Sequence, residues 1–329
     1  MKAAVYRHYG PPEVVHIEER AKPEPRENEV LIRIRASTVS SGDWRARSLK
    51  VPAGFGIFAR PVFGLFGPRK KILGTELAGE IEAVGSAVKK FKVGDAVFAF
   101  PGFDLGCHAE YRTMPEDGRL VLMPTGVSFE EAASISFGGS TALYYLRDLA
   151  HIKRGDDVLI IGASGAVGSA AVQLAKHFGA KVAGVTSTPN LERVVELGAD
   201  RVIDYTKTSF LEGGDKYDII FDTVGNASLS SCASSLKEDG RLLLCVASLF
   251  QILGSFWSSM TSKKKVIAGN AAERVDDLRT LKELIEAGQY RPLIDRSYPL
   301  DQIALAHAYA ETGRKRGSVV ITMDRATSG

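Results

Sequence analysis

Cysteine is scarce in this sequence, with three residues among 329. Cys107, Cys232 and Cys245 lie far apart, and none of them belongs to a Cys-x-x-Cys pair. A disulfide framework needs more cysteines, and a four-cysteine zinc lobe needs closely spaced pairs. The sequence therefore predicts reduced thiols and excludes a lobe of that kind.

An excess of one charge is also missing. The chain has 42 basic and 39 acidic residues, which give a net charge of +3. Because the basic residues form no stripe, the sequence predicts no nucleic-acid partner. The opening stretch MKAAVYRHYG lacks the apolar run and small-residue cleavage site of a signal peptide. Together with the reduced thiols, this favours a cytoplasmic protein.

Two apolar segments interrupt this ordinary composition. The uncharged segment 242–262 is long enough to cross a bilayer, but it contains Gln251 and Gly254 and begins as a strand pattern. We predict a strand followed by an apolar loop. Segment 51–71 carries four phenylalanines, and its glycines and prolines predict a loop. Burial within the protein is the simpler interpretation of both segments, and a lipophilic mouth that touches a membrane is the alternative.

The secondary-structure pattern changes along the chain. About the first 120 residues contain short β-rich runs separated by Gly, Pro and Asp, which is typical of a barrel-like β domain. From Ser128, a helix N-cap followed by two glutamates, strands and helices alternate. Six of these strands are apolar enough to be buried on both faces, which predicts a doubly wound parallel sheet.

A chain of this length is expected to form two domains that share a cleft. We predict a dinucleotide-binding domain at residues 124–269. The remaining residues, 1–123 and 270–329, are assigned to the other domain, because the tail ends in a strand pattern of its own, GSVVITM.

The strongest motif follows the first parallel strand. Residues 163–168 read Ala-Ser-Gly-Ala-Val-Gly, an A-x-G-x-x-G sequence that opens a helix. Gly165 lets the backbone approach a pyrophosphate, and Gly168 lets helix and strand pack closely. The context within a βαβ unit predicts dinucleotide binding.

The loop after the second parallel strand bears on the choice of cofactor. An NAD site places Asp or Glu there, whereas this chain has Ser187 and Thr188. Both hydroxyls can donate to a 2′-phosphate, so NADPH is predicted. No Arg or Lys lies in the loop itself, and Arg193 comes one helical turn later. A neutral loop with little selectivity is the alternative.

Several separated motifs, including GTELAGEIEAVG, FGGSTALYYL and IGASGAVGSAAVQLAK, resemble the medium-chain dehydrogenase/reductase superfamily. Within it the chain is similar to the zinc-free quinone oxidoreductase branch related to zeta-crystallin. The resemblance implies an α/β fold with a GroES-like β-rich catalytic domain and a Rossmann domain, and it implies a homodimer.

The resemblance also bears on metal binding. Zinc-dependent relatives hold the metal with a Cys, the His of Gly-His-Glu and a second Cys or Asp. The matching positions here are Ser40, Thr75 and Phe137, none of which is a strong zinc ligand. Hydride transfer without a metal needs an electrophilic acceptor such as a lipophilic quinone or enone.

By the same resemblance, Thr141 lies near the nicotinamide and Tyr205 near the 2′-phosphate, while an ordinary helix threonine and a sheet-edge tyrosine remain open alternatives. Ser40 would contact the acceptor oxygen, and Asp43 would orient the pocket or form an Asx-turn. The catalytic candidates are thus Ser40, Asp43 and Thr141. The implied cofactor contacts are Thr141, Ala163, Gly165, Ala166, Val167, Gly168, Ser187, Thr188, Tyr205 and Arg316.

These expectations give one leading function and two alternatives. The leading function is zinc-independent, NADPH-dependent reduction of quinones or other conjugated carbonyls. An enoyl or alkenal reductase on the same scaffold is the enzymatic alternative. The third possibility is an NADPH-binding, membrane-associated protein with little catalytic activity.

Overall fold

The computed structural model describes residues 1–211, 214–254, 263–269 and 271–323. The strands, in chain order, are β1 (Lys2–Val5), β2 (His16–Glu19), β3 (Glu29–Thr38), β4 (Leu77–Val84), β5 (Ala96–Ala99), β6 (Tyr111–Pro115), β7 (Leu120–Leu122), β8 (Asp157–Ile161), β9 (Lys181–Thr186), β10 (Arg201–Asp204), β11 (Tyr217–Asp222), β12 (Leu236–Leu244), β13 (Lys265–Ala268), β14 (Ile294–Pro299) and β15 (Ser318–Thr322).

The α-helices are α1 (Ser41–Ser48), α2 (Gly56–Phe63), α3 (Phe129–Ala133), α4 (Ser136–Leu143), α5 (Ala166–His177), α6 (Leu191–Glu196), α7 (Leu229–Cys232), α8 (Val275–Glu286) and α9 (Ile303–Glu311). A π-helical segment, Tyr144–Leu149, continues α4. Short 3-10 helices form at Pro12–Val14, Gly102–Asp104, Thr188–Asn190 and Leu300–Gln302. Residues 249–254 are also helical.

The chain divides into two compact units. Unit 1 comprises Met1–Val51, Gly56–Phe137 and Glu273–Gly329, and unit 2 comprises Pro52–Phe55 and Gly138–Ala272. The sequence-based boundaries, 1–123 with 270–329 and 124–269, stay a prediction about folding domains.

Unit 2 is built on a six-stranded parallel sheet with the order β10-β9-β8-β11-β12-β13. This is the strand order of a Rossmann fold, in which successive strands are added first on one side of β8 and then on the other. The aliphatic strands are buried on both faces, and Val158, Leu159 and Ile160 of β8 are fully inaccessible. The predicted doubly wound sheet is therefore confirmed.

Unit 1 contains a seven-stranded sheet in which β14-β15-β3-β4-β5-β7 form one path and β6 also pairs with β3. The late strand β15 runs antiparallel to β3, so Val320 lies opposite Thr38. Strand β14, which the sequence analysis did not identify, runs parallel to β15. The predicted β-rich GroES-like fold is confirmed.

The prediction of a loop over residues 51–71 is wrong in part, because α2 forms there. Its glycines lie at the ends, where they suit a helix: Gly56 opens it, and Gly64 follows it with φ +136°. Pro61 removes one backbone donor and is tolerated in this short helix. The burial interpretation is also wrong for four apolar side chains that are exposed, Ile57, Val62, Leu65 and Phe66.

The predicted apolar loop after β12 is also partly helical. Ser248 Oγ accepts from the amide of Gln251 at 3.2 Å, and Gln251 Oε1 accepts from the amide of Ser248 at 2.8 Å. This reciprocal pair is a capping box, which begins the helix at 249–254. Residues 255–262 of the predicted loop lie outside the described residues. Within the described ranges, no helix has the length and apolarity to span a bilayer.

A buried arginine joins two helices of unit 1. The Arg47 side chain of α1 is fully inaccessible, donates to the Gly10 carbonyl at 2.5 Å, and pairs with Glu311 at the end of α9. Lys50 Nζ donates to the same carboxylate at 2.7 Å. Burial raises the pKa of Glu311, but the hydrogen bonds from Lys50 and Arg47 outweigh it and lower that pKa overall.

We expect Glu311→Gln to lower the free energy of unfolding by about 1–3 kcal/mol, because it leaves the buried Arg47 cation without its counter-charge. Chemical denaturation at neutral pH measures the change. Glu238→Gln is the matched control, since Glu238 pairs with Lys263 at the surface and should cost under about 1 kcal/mol. Equal effects of the two substitutions would contradict the prediction.

Candidate active site

The glycine turn after β8 has the geometry of an anion-binding helix start. Gly162 leaves the strand with φ +82°, and Gly165 is the N-cap of α5 in an extended conformation. The first amides of α5, at Ala166, Val167 and Gly168, have no acceptor within the helix. They are therefore available to a phosphate group.

Two glycines in unit 2 permit close backbone approach around this turn. A Cβ on Gly168 would lie 2.0 Å from the Gly162 carbonyl oxygen. A Cβ on Gly138 of α4 would lie 2.5 Å from the carbonyl oxygen of Ala166. The first contact packs α5 against β8, and the second brings α4 to the start of α5. Half-buried Thr141 lies three residues further along α4.

The carboxyl end of β11 completes this side of the sheet. The Thr223 hydroxyl donates to the Ile161 carbonyl at 2.8 Å. The buried Asp222 carboxylate accepts from the amides of Val224, Gly225 and Ala227 at 2.6–3.0 Å. Strands β8 and β11 are neighbours at the topological switch point, where α/β sheets bind their ligands. These residues can therefore hold a dinucleotide.

The region beyond β9 contains a carboxylate that the sequence analysis missed. Asp204, at the end of β10, accepts from the Thr188 hydroxyl at 2.5 Å and from the Thr206 hydroxyl at 2.6 Å. These hydrogen bonds lower the pKa of Asp204, so the group is ionised at neutral pH. The Thr188 proton is committed to Asp204, and Thr188 can then offer only an acceptor to a ligand.

Ser187 is oriented differently. Its Oγ accepts from Asn190 Nδ2 at 3.0 Å, which leaves the hydroxyl proton available for donation. Tyr205, which follows Asp204, is 59% exposed. The structure thus brings Ser187, Thr188 and Asp204 together at the ends of adjacent strands, with Ser187 as a hydroxyl donor.

In unit 1, a buried hydrogen-bonded cluster forms around Asp43. Its Oδ2 accepts from the Ser40 amide at 2.7 Å and from the Ser40 hydroxyl at 2.6 Å, while its Oδ1 accepts from the Gly74 amide at 2.8 Å. Ser40 Oγ in turn accepts from the Asp43 amide, so the pair is a capping box at the start of α1. Thr75 Oγ1 donates to Ser40 Oγ at 3.3 Å.

Glu76, next to Thr75, is almost fully buried. Its carboxylate accepts from the Thr38 hydroxyl at 2.5 Å and from the Phe137 amide at 2.6 Å. Burial is the largest influence and raises the pKa of Glu76 to about 7, although these hydrogen bonds oppose it. Its protonation therefore changes near neutral pH.

Comparison with known proteins places the chain in a family. Residues 26–125 match the alcohol dehydrogenase GroES-like domain, and residues 197–321 match the zinc-binding dehydrogenase family. The 2-methylene-furan-3-one reductase of Solanum lycopersicum is 34% identical over 98% of this chain and 79% of its own. The NADPH-dependent alkenal/one oxidoreductase of Arabidopsis thaliana is 33% identical over 98% of this chain and 79% of its own.

Among solved structures, the quinone oxidoreductase of Coxiella burnetii superposes with a TM-score of 0.87 at 29% identity, covering 98% of this chain and 99% of its own. The chain belongs to the quinone oxidoreductase-like branch of the medium-chain dehydrogenase/reductase superfamily. It is therefore an oxidoreductase, as the resemblance of its motifs predicts.

One of the matching families is named for zinc, but the donor atoms of this oxidoreductase at the matching positions are not those of a zinc site. Ser40 and Thr75 offer neutral hydroxyls that hydrogen-bond each other, and the Ser40 proton is held by Asp43. Phe137 offers no donor atom in its side chain. Zinc prefers thiolate, imidazole and carboxylate ligands. The three residues at the zinc positions therefore do not fit the metal.

The remaining predicted residue, Arg316, lies in the loop before β15 of the oxidoreductase. Its side chain is exposed, and its amide donates to Asp295 Oδ2 at 2.8 Å. Its role beside the cofactor stays a prediction, as do those of Thr141 and Tyr205. The carboxylate of Asp43 accepts from the amides of Ser40 and Gly74, so it forms a capping box with Ser40 rather than the Asx-turn considered as its alternative.

We expect the stability of the oxidoreductase to fall as pH rises from about 4.5 to about 7, because of Glu76. Its folded-state pKa is raised to about 7, so the folded protein binds the proton more tightly than the unfolded chain does. Glu76→Gln should abolish this loss of unfolding free energy, which amounts to at most about 3 kcal/mol over the window. The amide is shaped like the protonated acid and can donate to Thr38 while it accepts from the Phe137 amide.

Thermal and denaturant unfolding from about pH 4 to about pH 8, a range that brackets the predicted window, measures the effect. Glu283→Gln, at an exposed position of α8, is the control and should retain the wild-type slope. Parallel stability profiles for wild type and Glu76→Gln would show that Glu76 does not titrate in this window.

Proposed function

We propose that this oxidoreductase is a zinc-independent, NADPH-dependent reductase of quinones and other conjugated carbonyls. The observation that carries the proposal is the hydroxyl cluster of Ser40 and Thr75, whose protons are engaged with Asp43 and with each other. Residues of this kind do not polarise an isolated carbonyl as a metal does. The acceptor must therefore be electrophilic through its own conjugation.

The backbone of unit 2 would hold the cofactor. The amides at the start of α5, at Ala166 and Val167, would bind the pyrophosphate, with Ala163, Gly165 and Gly168 shaping the turn. Bound NADPH would supply a hydride to the acceptor. Thr141, Tyr205 and Arg316 keep the roles beside the cofactor that the sequence predicts. The Arabidopsis relative is itself named NADPH-dependent, which supports this choice of cofactor.

Ser187 is the proposed donor to the 2′-phosphate, because Asn190 occupies its acceptor side and leaves its proton available. Thr188 does not share this role while Asp204 holds its proton. The Asp204 charge also disfavours a nearby phosphate. We therefore infer that the NADPH preference depends on Ser187 and is reduced by Asp204.

On the acceptor side, Ser40 would lie beside the carbonyl oxygen. Because Asp43 holds the Ser40 proton in this structure, the Ser40 hydroxyl would have to turn from Asp43 to donate to that oxygen. The reduction adds one hydride and one proton to the acceptor. A quinone becomes a hydroquinone, whereas an enone receives hydride at its β-carbon and a proton from water at its α-carbon. The conjugated system holds the negative charge until that proton arrives.

A second candidate, an alkenal or enone reductase, is favoured by two relatives. The tomato and Arabidopsis proteins, at 34% and 33% identity, are named for furanone and alkenal/one substrates. Both candidates use the same residues and differ in the acceptor that reacts best. We also propose that the protein is a cytoplasmic homodimer with a cofactor domain at residues 124–269 and a catalytic domain formed by the rest.

We expect the protein to bind NADPH more tightly than NADH, and Asp204→Asn to increase that preference by about fivefold, because it removes a charge near the 2′-phosphate. Ser187→Asp should reduce or reverse the preference for NADPH, because it adds a negative charge near the 2′-phosphate. Fluorescence titration with both cofactors measures the dissociation constants.

Asp200→Asn is the control for the Asp204→Asn and Ser187→Asp variants. Asp200 lies at the opposite end of β10 from Asp204, and it pairs with Lys176. Its cofactor preference should equal that of the wild type. Equal wild-type affinities for NADPH and NADH would refute the proposed cofactor, and an unchanged preference in Asp204→Asn would remove Asp204 from the site.

We expect quinones and enones to be reduced well and simple aldehydes poorly, with activity that persists in chelator. Among quinones, each further buried methylene should favour binding by about 0.8 kcal/mol until the pocket is filled. Ser40→Ala should lower kcat/KM by about tenfold or more without changing the affinity for NADPH. Steady-state rates across the acceptor series measure these effects.

Ser128→Ala is the matched control, because Ser128 and Glu131 form the same capping box at α3. Ser128→Ala should lose about 1 kcal/mol of stability. Ser40→Ala should lose about 2–3 kcal/mol, because it also removes a hydroxyl donor from the buried Asp43 carboxylate, and only Ser40→Ala should lose activity. A best rate with the simple aldehyde would overturn the proposed acceptor class. Failure of every acceptor despite tight NADPH binding would favour the non-catalytic alternative.

A further inference from the structure

Helix α2 and the turn after it present an exposed apolar surface on unit 1. We call it the α2 surface and define it by four side chains. Their exposed fractions are 84% for Ile57, 61% for Val62, 54% for Leu65 and 100% for Phe66. Single exposed apolar residues are ordinary, whereas four within ten successive positions are typical of an interaction site.

The opposite side of α2 is attached to the body of unit 1. Ala59 is 6% exposed, and Phe63, one helical turn later, packs against the core cluster that contains Tyr6 and Leu73. The Tyr9 hydroxyl donates to the Gly64 carbonyl at 3.0 Å. The helix is therefore fixed by one face and exposes the other, so the α2 surface has a defined orientation.

The chain segment that carries this surface has charge of one sign. From Trp44 to Thr75 the sequence contains seven basic residues and no acidic residue. Four of the basic side chains, at Arg60, Arg69, Lys70 and Lys71, are exposed beside the apolar residues. One outside carboxylate, Asp104, lies 3.9 Å from Lys70 Nζ. The α2 surface is therefore apolar with a cationic surround.

We propose that the α2 surface binds an anionic phospholipid bilayer, with its apolar side chains among the acyl chains and its basic residues at the headgroups. This combination characterises helices that lie in the membrane interface. A second copy of the chain fits less well, because a twofold interface would bring two sets of like charges together. The inference does not depend on reductase activity.

The test is co-sedimentation of the full-length protein with vesicles in the absence of cofactor and acceptor. One vesicle preparation is phosphatidylcholine alone, and the other contains about one third phosphatidylglycerol. We expect binding to the anionic vesicles that exceeds binding to the neutral ones by about tenfold and falls at high salt.

Two double variants address the two components of the surface. Leu65→Ser with Phe66→Ser removes apolar contacts, and Lys70→Glu with Lys71→Glu reverses two charges. Each should reduce binding to anionic vesicles by about tenfold or more. The control for the apolar variant is Val195→Ser with Leu305→Ser, at positions that are 51% and 59% exposed. The control for the charge variant is Lys89→Glu with Lys90→Glu, an exposed lysine pair elsewhere on unit 1.

We expect the control variants to retain binding to anionic vesicles and both α2 variants to lose it. The unfolding temperatures of all four variants should be unchanged. The proposal is overturned if the wild-type protein fails to bind anionic vesicles or if the α2 variants bind as well as the controls. It is also overturned if Leu65→Ser with Phe66→Ser converts an oligomer to a monomer without any vesicle binding, because the surface is then an interface between copies.

Discussion

The buried carboxylate of Asp43 is the interaction on which the arrangement in unit 1 depends. A carboxyl group without access to water must be matched by donors, and Asp43 has three, from the amide and hydroxyl of Ser40 and the amide of Gly74. These bonds fix the start of α1 and the approach to β4. They also bring Ser40 next to Thr75, so two of the three residues that the resemblance matches to zinc ligands are hydrogen-bonded to each other.

The cofactor side of unit 2 depends on backbone approach. A Cβ on Gly168 would fall 2.0 Å from a carbonyl oxygen, so this position requires glycine if α5 is to begin where it does. The amides at that point act through helix geometry rather than through side chains. In the proposed cofactor site, side chains become decisive only at the ribose end, where Asp204 and Asn190 determine which hydroxyls can donate.

The sequence predicts the parallel sheet well because its strands are continuous apolar runs, as in β8 and β11, and because the glycine turn has a local signature. It predicts the apolar segments poorly. The helix at 249–254 depends on the capping pair of Ser248 and Gln251, which the hydrophobic pattern does not reveal. The contact between Asp204 and Thr188 spans 16 positions and depends on strand pairing, so a search of one loop could not identify it.

Recognition of the cofactor and recognition of the acceptor depend on different parts of the proposed site. The cofactor turn is built from glycines and backbone amides in unit 2, whereas the proposed acceptor residues, Ser40 and Thr75, are side chains of unit 1. We expect replacement of such side chains to alter the preferred acceptor and to leave the glycine turn intact. The quinone oxidoreductase of Coxiella burnetii superposes with a TM-score of 0.87 at 29% identity, so the fold persists although most side chains differ. Identifying the acceptor of this protein thus depends on the few side chains around Asp43 rather than on the fold.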